Sequence, residues 1–289
     1  MKSIHFYLLT LLSIIAMSCE KLTLPEDTTS QSKGNLTLTV YQLEQIPFTA
    51  STRAATSDVC TRLNFAIYDT DNTCVKQIKQ KVGDSEFGTA SFQLDPGTYR
   101  IVALAHSSKG NPTMTNPAKI QFSNTNTGYS DTFLYSEEIA IDEEPLTLSL
   151  TLNRIVALCR FIINDAIPSS VAKLEFEYTG GSGAFDAATG LGSVKSTQKL
   201  VIDTPQVQKQ FDLYTFLHDL TGTIHLKVTA KDGSDNEIQK REFDIPLQQN
   251  QITRFTGTFF SGENIPTSRS TDISITINTK WSGETTLTY

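Results

Sequence analysis

Basic clusters are missing from this 289-residue chain: 24 lysines and arginines are scattered among 31 acidic residues, for a net charge of −7. A protein that grips nucleic acid needs a concentrated basic stripe, so that partner class is excluded. Histidine is scarce. Beyond the first residues only His106, His218 and His225 remain, far apart. No HExxH pair and no Cys/His spacing suited to zinc occurs, so neither a metal site nor a cofactor is expected. Tryptophan occurs once, at Trp281, which weighs against the aromatic platforms on which sugars stack. No apolar run reaches the roughly 20 residues of a membrane-spanning helix. Helical periodicity is absent too, with 211–220 the one weak candidate.

Catalytic motifs are approached and missed. Asp69-Thr70-Asp71 opens like a calcium loop, but Cys74 stands where glycine is needed and Gln80 where a bidentate glutamate is needed. A hairpin turn accounts for it better. Gly180, Gly181 and Gly183 lack the spacing of a nucleophile elbow and the lysine of a phosphate loop. The acidic pairs Glu137-Glu138 and Glu143-Glu144 read as solvated loop edges. No enzyme is expected.

What is present begins at the first residue. Met1-Lys2 gives a short positive start, and residues 6–17 read FYLLTLLSIIAM, the length of a signal-peptide apolar region. Ala16 and Ser18 are the small residues at −3 and −1 to Cys19. This pattern resembles a bacterial lipobox, with cleavage between Ser18 and Cys19 and acylation (palmitate-class chains) of the Cys19 thiol. Each buried methylene adds about 0.8 kcal/mol, so several chains hold a protein on a membrane without a spanning helix. Residues 1–18 are thus the expected signal peptide. Residues 19–33, polar and containing Pro25, are the expected lipidated tether.

With Cys19 acylated, Cys60, Cys74 and Cys159 remain, an odd number. A hairpin closed at 69–72 puts Cys74 opposite Tyr68 and Cys60 opposite residues near Val82. That separation exceeds the roughly 7 Å Cα limit of a disulfide. Cys159 lies in the apolar run RIVALCRFII. All three read as structural thiols.

From residue 34 the pattern has period two. Leu36, Leu38 and Val40 alternate with polar residues, as do Leu63, Phe65 and Ile67; Leu146, Leu148, Leu150 and Leu152; Leu174, Phe176 and Tyr178; Ile224, Leu226 and Val228; and Ile273, Ile275 and Ile277. Half-buried strands alternate in this way. Turn residues separate the runs, at 69–72, 95–97, 179–183, 231–233 and 261–262. The spacing predicts an all-β protein of antiparallel sandwiches. Asn153 interrupts two strongly apolar strands, which places a boundary between domains at 34–152 and 153–289, with Asn153 and Arg154 as a hinge.

Several segments together resemble a known family. RLNFAIY starts at Arg62, FQLDPGTYRIVALAH runs from Phe92 to His106, and LNRIVAL starts at Leu152. IPLQQNQITRFTGTF runs from Ile245 to Phe259, and ITINTKWSG starts at Ile275. In this order, behind a lipobox, they resemble the FimB-type minor fimbrillins, anchor and accessory lipoproteins of Bacteroidetes type V pili. The resemblance implies two tandem transthyretin-like (Greek-key) β-sandwiches and outer-membrane attachment on the cell surface. It implies a role anchoring or capping a pilus, and other fimbrillin subunits as partners through strand donation. It brings no catalytic residues. In polymerising fimbrillins it further implies arginine-specific cleavage that frees a first strand. Here the corresponding bond is Arg53–Ala54, in the small-residue stretch 49–55, and the displaceable strand carries Leu36, Leu38 and Val40. An anchor keeps that bond intact, since cutting it severs body from lipid. The rival expectation on the same fold is a surface lipoprotein that binds glycan or a host protein.

Overall fold

A computed structural model describes residues 34–44, 46–47, 60–123, 126–261, 281 and 283–289. Ser18, Cys19, Arg53, Ala54 and the alternating run at Ile273, Ile275 and Ile277 lie outside the described residues. Residues 34–289 form one compact unit. Among the described residues no helix is long and apolar enough to cross a membrane.

Among the described residues the elements are strands, apart from two short 3-10 turns. The first half contributes β1 (Leu36–Leu43), β2 (Ile46–Pro47), β3 (Arg62–Tyr68), β4 (Cys74–Lys81), β5 (Thr89–Phe92), β6 (Gly97–His106), β7 (Ile120–Gln121), β8 (Thr132–Ile141) and β9 (Leu146–Arg154). The second half contributes β10 (Ala157–Ile163), β11 (Lys173–Thr179), β12 (Ala184–Phe185), β13 (Gln198–Asp203), β14 (Gln210–Thr215), β15 (Thr221–Lys231), β16 (Glu237–Gln248), β17 (Gln251–Gly257) and β18 (Gly283–Thr288).

In the first half the order is β2-β1-β9-β8-β6-β3-β4, with β5 also paired to β1. β8 and β9 share only the pairs Phe133↔Arg154 and Leu134↔Asn153. The ladder turns a corner there and folds into a sandwich. The β1/β5/β9 layer faces the β3/β4/β6/β8 layer across a core holding Leu36, Leu38, Phe65, Ile101, Phe133 and Leu152. In the second half, β14-β10-β17-β18 faces β13-β11-β15-β16, and the core between them is rich in phenylalanine.

The all-β sandwich architecture is present. The expectation of purely antiparallel sheets is corrected, because β1–β9, β10–β17 and β17–β18 pair in parallel. Side-chain periodicity is two in either direction, so alternation does not report orientation. The 211–220 segment is no helix; its first part is β14, where Phe211 and Leu213 alternate inward.

A third apolar cluster lies between the halves. Ala66, Tyr68, Val102 and Leu104, on the second face of β3 and β6, meet Ile155, Leu158, Phe185, Phe216, Ile252 and Trp281. β3 and β6 are therefore covered on both faces; for β3 this differs from the half-buried strand its alternation predicts, whereas the continuous apolar run at 101–105 of β6 agrees with it. β7 of the first half also pairs with β12 of the second.

The residues expected as a hinge, Asn153 and Arg154, are the last two of β9. β9 continues through Arg154, and the chain passes between the halves at Ile155-Val156, both buried.

Candidate functional site

The candidate displaceable strand is built into the first sandwich as a central member. β1 pairs antiparallel with β5 over 36–39 and parallel with β9 over 36–43. Leu36, Leu38, Val40 and Leu43 are 0–1% exposed. Three steps separate Val40 from Leu43, yet both point inward, because a bulge at Tyr41 shifts the register between Val40 and Gln42. The bulge leaves Tyr41 60% exposed. An extra residue in one strand produces this local re-aiming. The Val40 N–H donates to Gly88 O at 2.8 Å, which ties the strand just before the bulge.

Each end of β1 is held by a polar side chain. At the start, Asn35 Oδ1 accepts from Leu94 N–H at 2.9 Å, and its Nδ2 donates to Leu94 O at 2.8 Å and Asp142 O at 3.3 Å. Gly34, just before it, has no room for a side chain, since a Cβ would sit 2.1 Å from Phe92 O. At the far end Glu44 adopts a left-handed backbone (φ 48°). Its N–H donates to Leu152 O at 2.6 Å. Its Oε2 accepts from Arg154 N–H at 2.9 Å, and its Oε1 accepts from Asn250 Nδ2 at 2.6 Å.

Glu44 thereby joins a buried polar node. The Arg154 side chain is 1% exposed, and its guanidinium donates to both Asp131 oxygens, at 2.7 and 2.9 Å. A third bond runs to Asn250 Oδ1 at 3.1 Å. The guanidinium lies 3.9 Å from the Trp281 ring centroid and 4.6 Å from that of Phe133. A delocalised, weakly hydrated guanidinium suits burial between rings. Burial raises the Asp131 carboxyl above its ordinary value, while Arg154 pulls it down. β8, β9, the β16–β17 turn and the end of β1 all meet at this node.

The other sequence candidates lie apart from it. Cys60, Cys74 and Cys159 are free thiols. Tyr68 pairs with Cys74 across the β3–β4 hairpin, as the turn at 69–72 predicts. Burial pushes the Cys60 thiol up to about 12 and raises that of Cys159 as well, so neither is a nucleophile at neutral pH. Asp69 Oδ1 accepts from the N–H groups of Asp71 and Thr73, which is turn chemistry.

Glu137 and Glu138 sit exposed on β8 rather than in a loop, and Glu138 pairs with Arg100. His106 is fully buried and bonds Asn64 through Nε2 at 2.9 Å; burial holds its pKa down near about 3. His225 is half exposed, between Asp244 at 2.9 Å and Glu242 at 3.6 Å. A shallow depression on the outer face of the β11/β15/β16 sheet is lined by Glu175, Glu177, Lys227, Lys231, Glu237 and Lys240. Its charges pair among themselves, as in Lys231–Glu175 at 3.0 Å. Among the described residues no group of three metal-ligating side chains occurs.

The sequence reading found the apolar row of β1 and missed its end residues. An asparagine and a glutamate beside a strand look like loop residues until the fold shows what they hold.

The chain matches a family described only as of unknown function, DUF6562, over residues 27–289. No curated protein matches it. Among solved structures, a "putative adhesin" from Bacteroides ovatus is 15% identical with a TM-score of 0.48, covering 72% of this chain and 81% of that one. The fimbrial anchor protein Mfa2 from Porphyromonas gingivalis is 12% identical with a TM-score of 0.42, covering 71% and 80%. A fimbrial assembly protein from Parabacteroides distasonis is 12% identical with a TM-score of 0.40, covering 77% and 89%.

Proposed function

The chain belongs to the family of unknown function DUF6562, and from its own residues we propose that it is a structural lipoprotein of a type V-like fimbria. In this reading acylated Cys19 holds it at the outer membrane, where it anchors or caps the pilus through strand-donation contacts with other fimbrillin subunits. The observation that carries the reading is the seating of β1. The first described strand lies between β5 and β9 with its whole apolar row buried. Burial of Leu36, Leu38 and Val40 is worth about 1.5–3 kcal/mol each. Their sum, about 5–9 kcal/mol, matches the stability of a small domain, about 5–15 kcal/mol. Without β1, the facing ladder groups of β5 and β9 would also be left unpaired, an open edge that invites a strand from elsewhere.

Support also comes from the lipobox at Cys19 and from the ordered motifs that resemble the minor fimbrillins. The rival reading, a glycan-binding surface lipoprotein, loses its one tryptophan, because Trp281 is buried beside Arg154.

Mass spectrometry of the N-terminus from native cells tests the proposal. A mature chain starting at acylated Cys19, with Cys19→Ala leaving the membrane fraction, is the expected result for an anchor. A chain starting at Ala54 would reassign the protein to a stalk or tip position. A chain starting elsewhere without lipid would overturn the reading.

A further inference from the structure

We propose that the slot occupied by β1 selects its strand by the two ends: it accepts an extended segment with an amide at the position of Asn35 and a carboxylate nine positions later (35 to 44), around an inward apolar row. The inference rests on the strand-exchange reading and adds which strand is admitted. Four apolar pockets in a row are a weak filter, because many alternating strands offer Leu or Val at every second residue. The ends are a strong one.

At the first end, Leu94 presents its N–H and its C=O to one side chain. Asparagine answers both at once; aspartate has no proton to donate and leaves the Leu94 and Asp142 carbonyls unserved. At the second end two donors converge, the Arg154 backbone N–H and Asn250 Nδ2. Asn250 has no freedom to turn its oxygen toward Glu44, since that oxygen accepts from Arg154 Nη1 at 3.1 Å. Two donors on two oxygens call for a carboxylate, and glutamine would set an NH2 against one of them. The bulge at Tyr41 then fixes the length. A strand one residue shorter brings one end group into place and withdraws the other. Gly34 adds that the residue before the amide has no side chain. The partner is thus defined by chemistry: a segment reading Gly-Asn, apolar residues at the positions of 36, 38, 40 and 43, and Glu at 44.

The test uses the whole chain carrying a site-specific protease sequence inserted after Thr52. It is cut, unfolded in urea and refolded with an excess of labelled peptide spanning residues 34–44. Uptake is read by anisotropy and by native mass spectrometry. The wild-type peptide is expected to replace the chain's own strand. Asn35→Asp, Glu44→Gln and deletion of Tyr41 are each expected to weaken uptake about tenfold or more, the scale of a lost charged or paired hydrogen bond.

Reversing the preference is the sharper readout. In an Asn250→Asp protein the new carboxylate still accepts from Arg154 but repels Glu44, so the Glu44→Gln peptide is expected to win over wild type. A general loss of packing would not produce that reversal. Equal uptake of wild-type and end-substituted peptides overturns the end-reading while leaving strand exchange standing. A cut protein that takes back its own strand but no added wild-type peptide overturns both.

Discussion

The cores of the two sandwiches are closed in different ways. The second is locked by rings: Phe161 stacks on Tyr289 at 5.0 Å and meets Phe176, Phe243 and Phe255 within 5.8 Å. Tyr289 also stacks on Phe255 at 4.9 Å and donates its hydroxyl to Ile162 O at 2.9 Å. The segment at β18 is thereby held by one large residue, Tyr289, in a specific pose. The first core is completed instead by a row of Leu and Val on β1, whose shape many strands could supply, and by polar groups at the two ends. Aromatic packing is demanding in geometry, whereas an aliphatic row on a pleated strand tolerates substitution by another of the same pattern. On the proposal made above, this division would let one half give up a strand while the other stays folded.

The comparison can be broken first at the node between the halves. Arg154→Ala leaves Asp131 buried without its partner and is expected to cost about 3–5 kcal/mol in urea unfolding. Replacing both residues with apolar ones of similar volume should return much of the loss. Next, Phe161→Ala and Leu38→Ala should cost about 3–5 and 2–5 kcal/mol respectively. Added peptide 34–44 should restore the Leu38 variant and leave the Phe161 variant unchanged. Rescue of both would erase the distinction between the cores.

Acid should also act on the first half. The unfolded chain takes up the His106 proton near pH 6.5, whereas the buried ring does so only near about 3. Between those values the unfolded state holds the extra proton, so stability falls as pH falls, by up to about 1.4 kcal/mol per pH unit. His106→Gln should flatten that slope, and a ring NMR signal that titrates near 6.5 in the folded protein would contradict the assignment. The smallest effect is expected from Tyr289→Phe, about 0.5–1.5 kcal/mol for one hydrogen bond. A larger loss would mean that the hydroxyl, rather than ring packing, closes the second core.

Much of this fold was legible because alternation is a local signal. Leu36, Leu38 and Val40, and equally Leu174, Phe176 and Tyr178, sit inward as their spacing predicts. What escaped was set by distant partners. Ala66, between Phe65 and Ile67, looks like the solvent side of its strand, and only the arrival of Phe185 and Phe216 covers it. Strand direction left no mark on the pattern, so the parallel pairings were invisible. Arg154, read as part of a hinge, is a buried charge on which Asp131, Glu44 and Asn250 converge from 23, 110 and 96 residues away in sequence.

One feature of β1 also has a mechanical side. It runs parallel to β9 over its whole length, so a pull on the chain at Gly34 is directed along the strand axis. The slanted hydrogen bonds of a parallel pair are then strained side by side instead of being peeled one after another. Resistance under such a load is governed by the barrier to unfolding rather than by equilibrium stability. A domain tugged from its first strand in this geometry yields late and all at once, like a lap joint and unlike a zip.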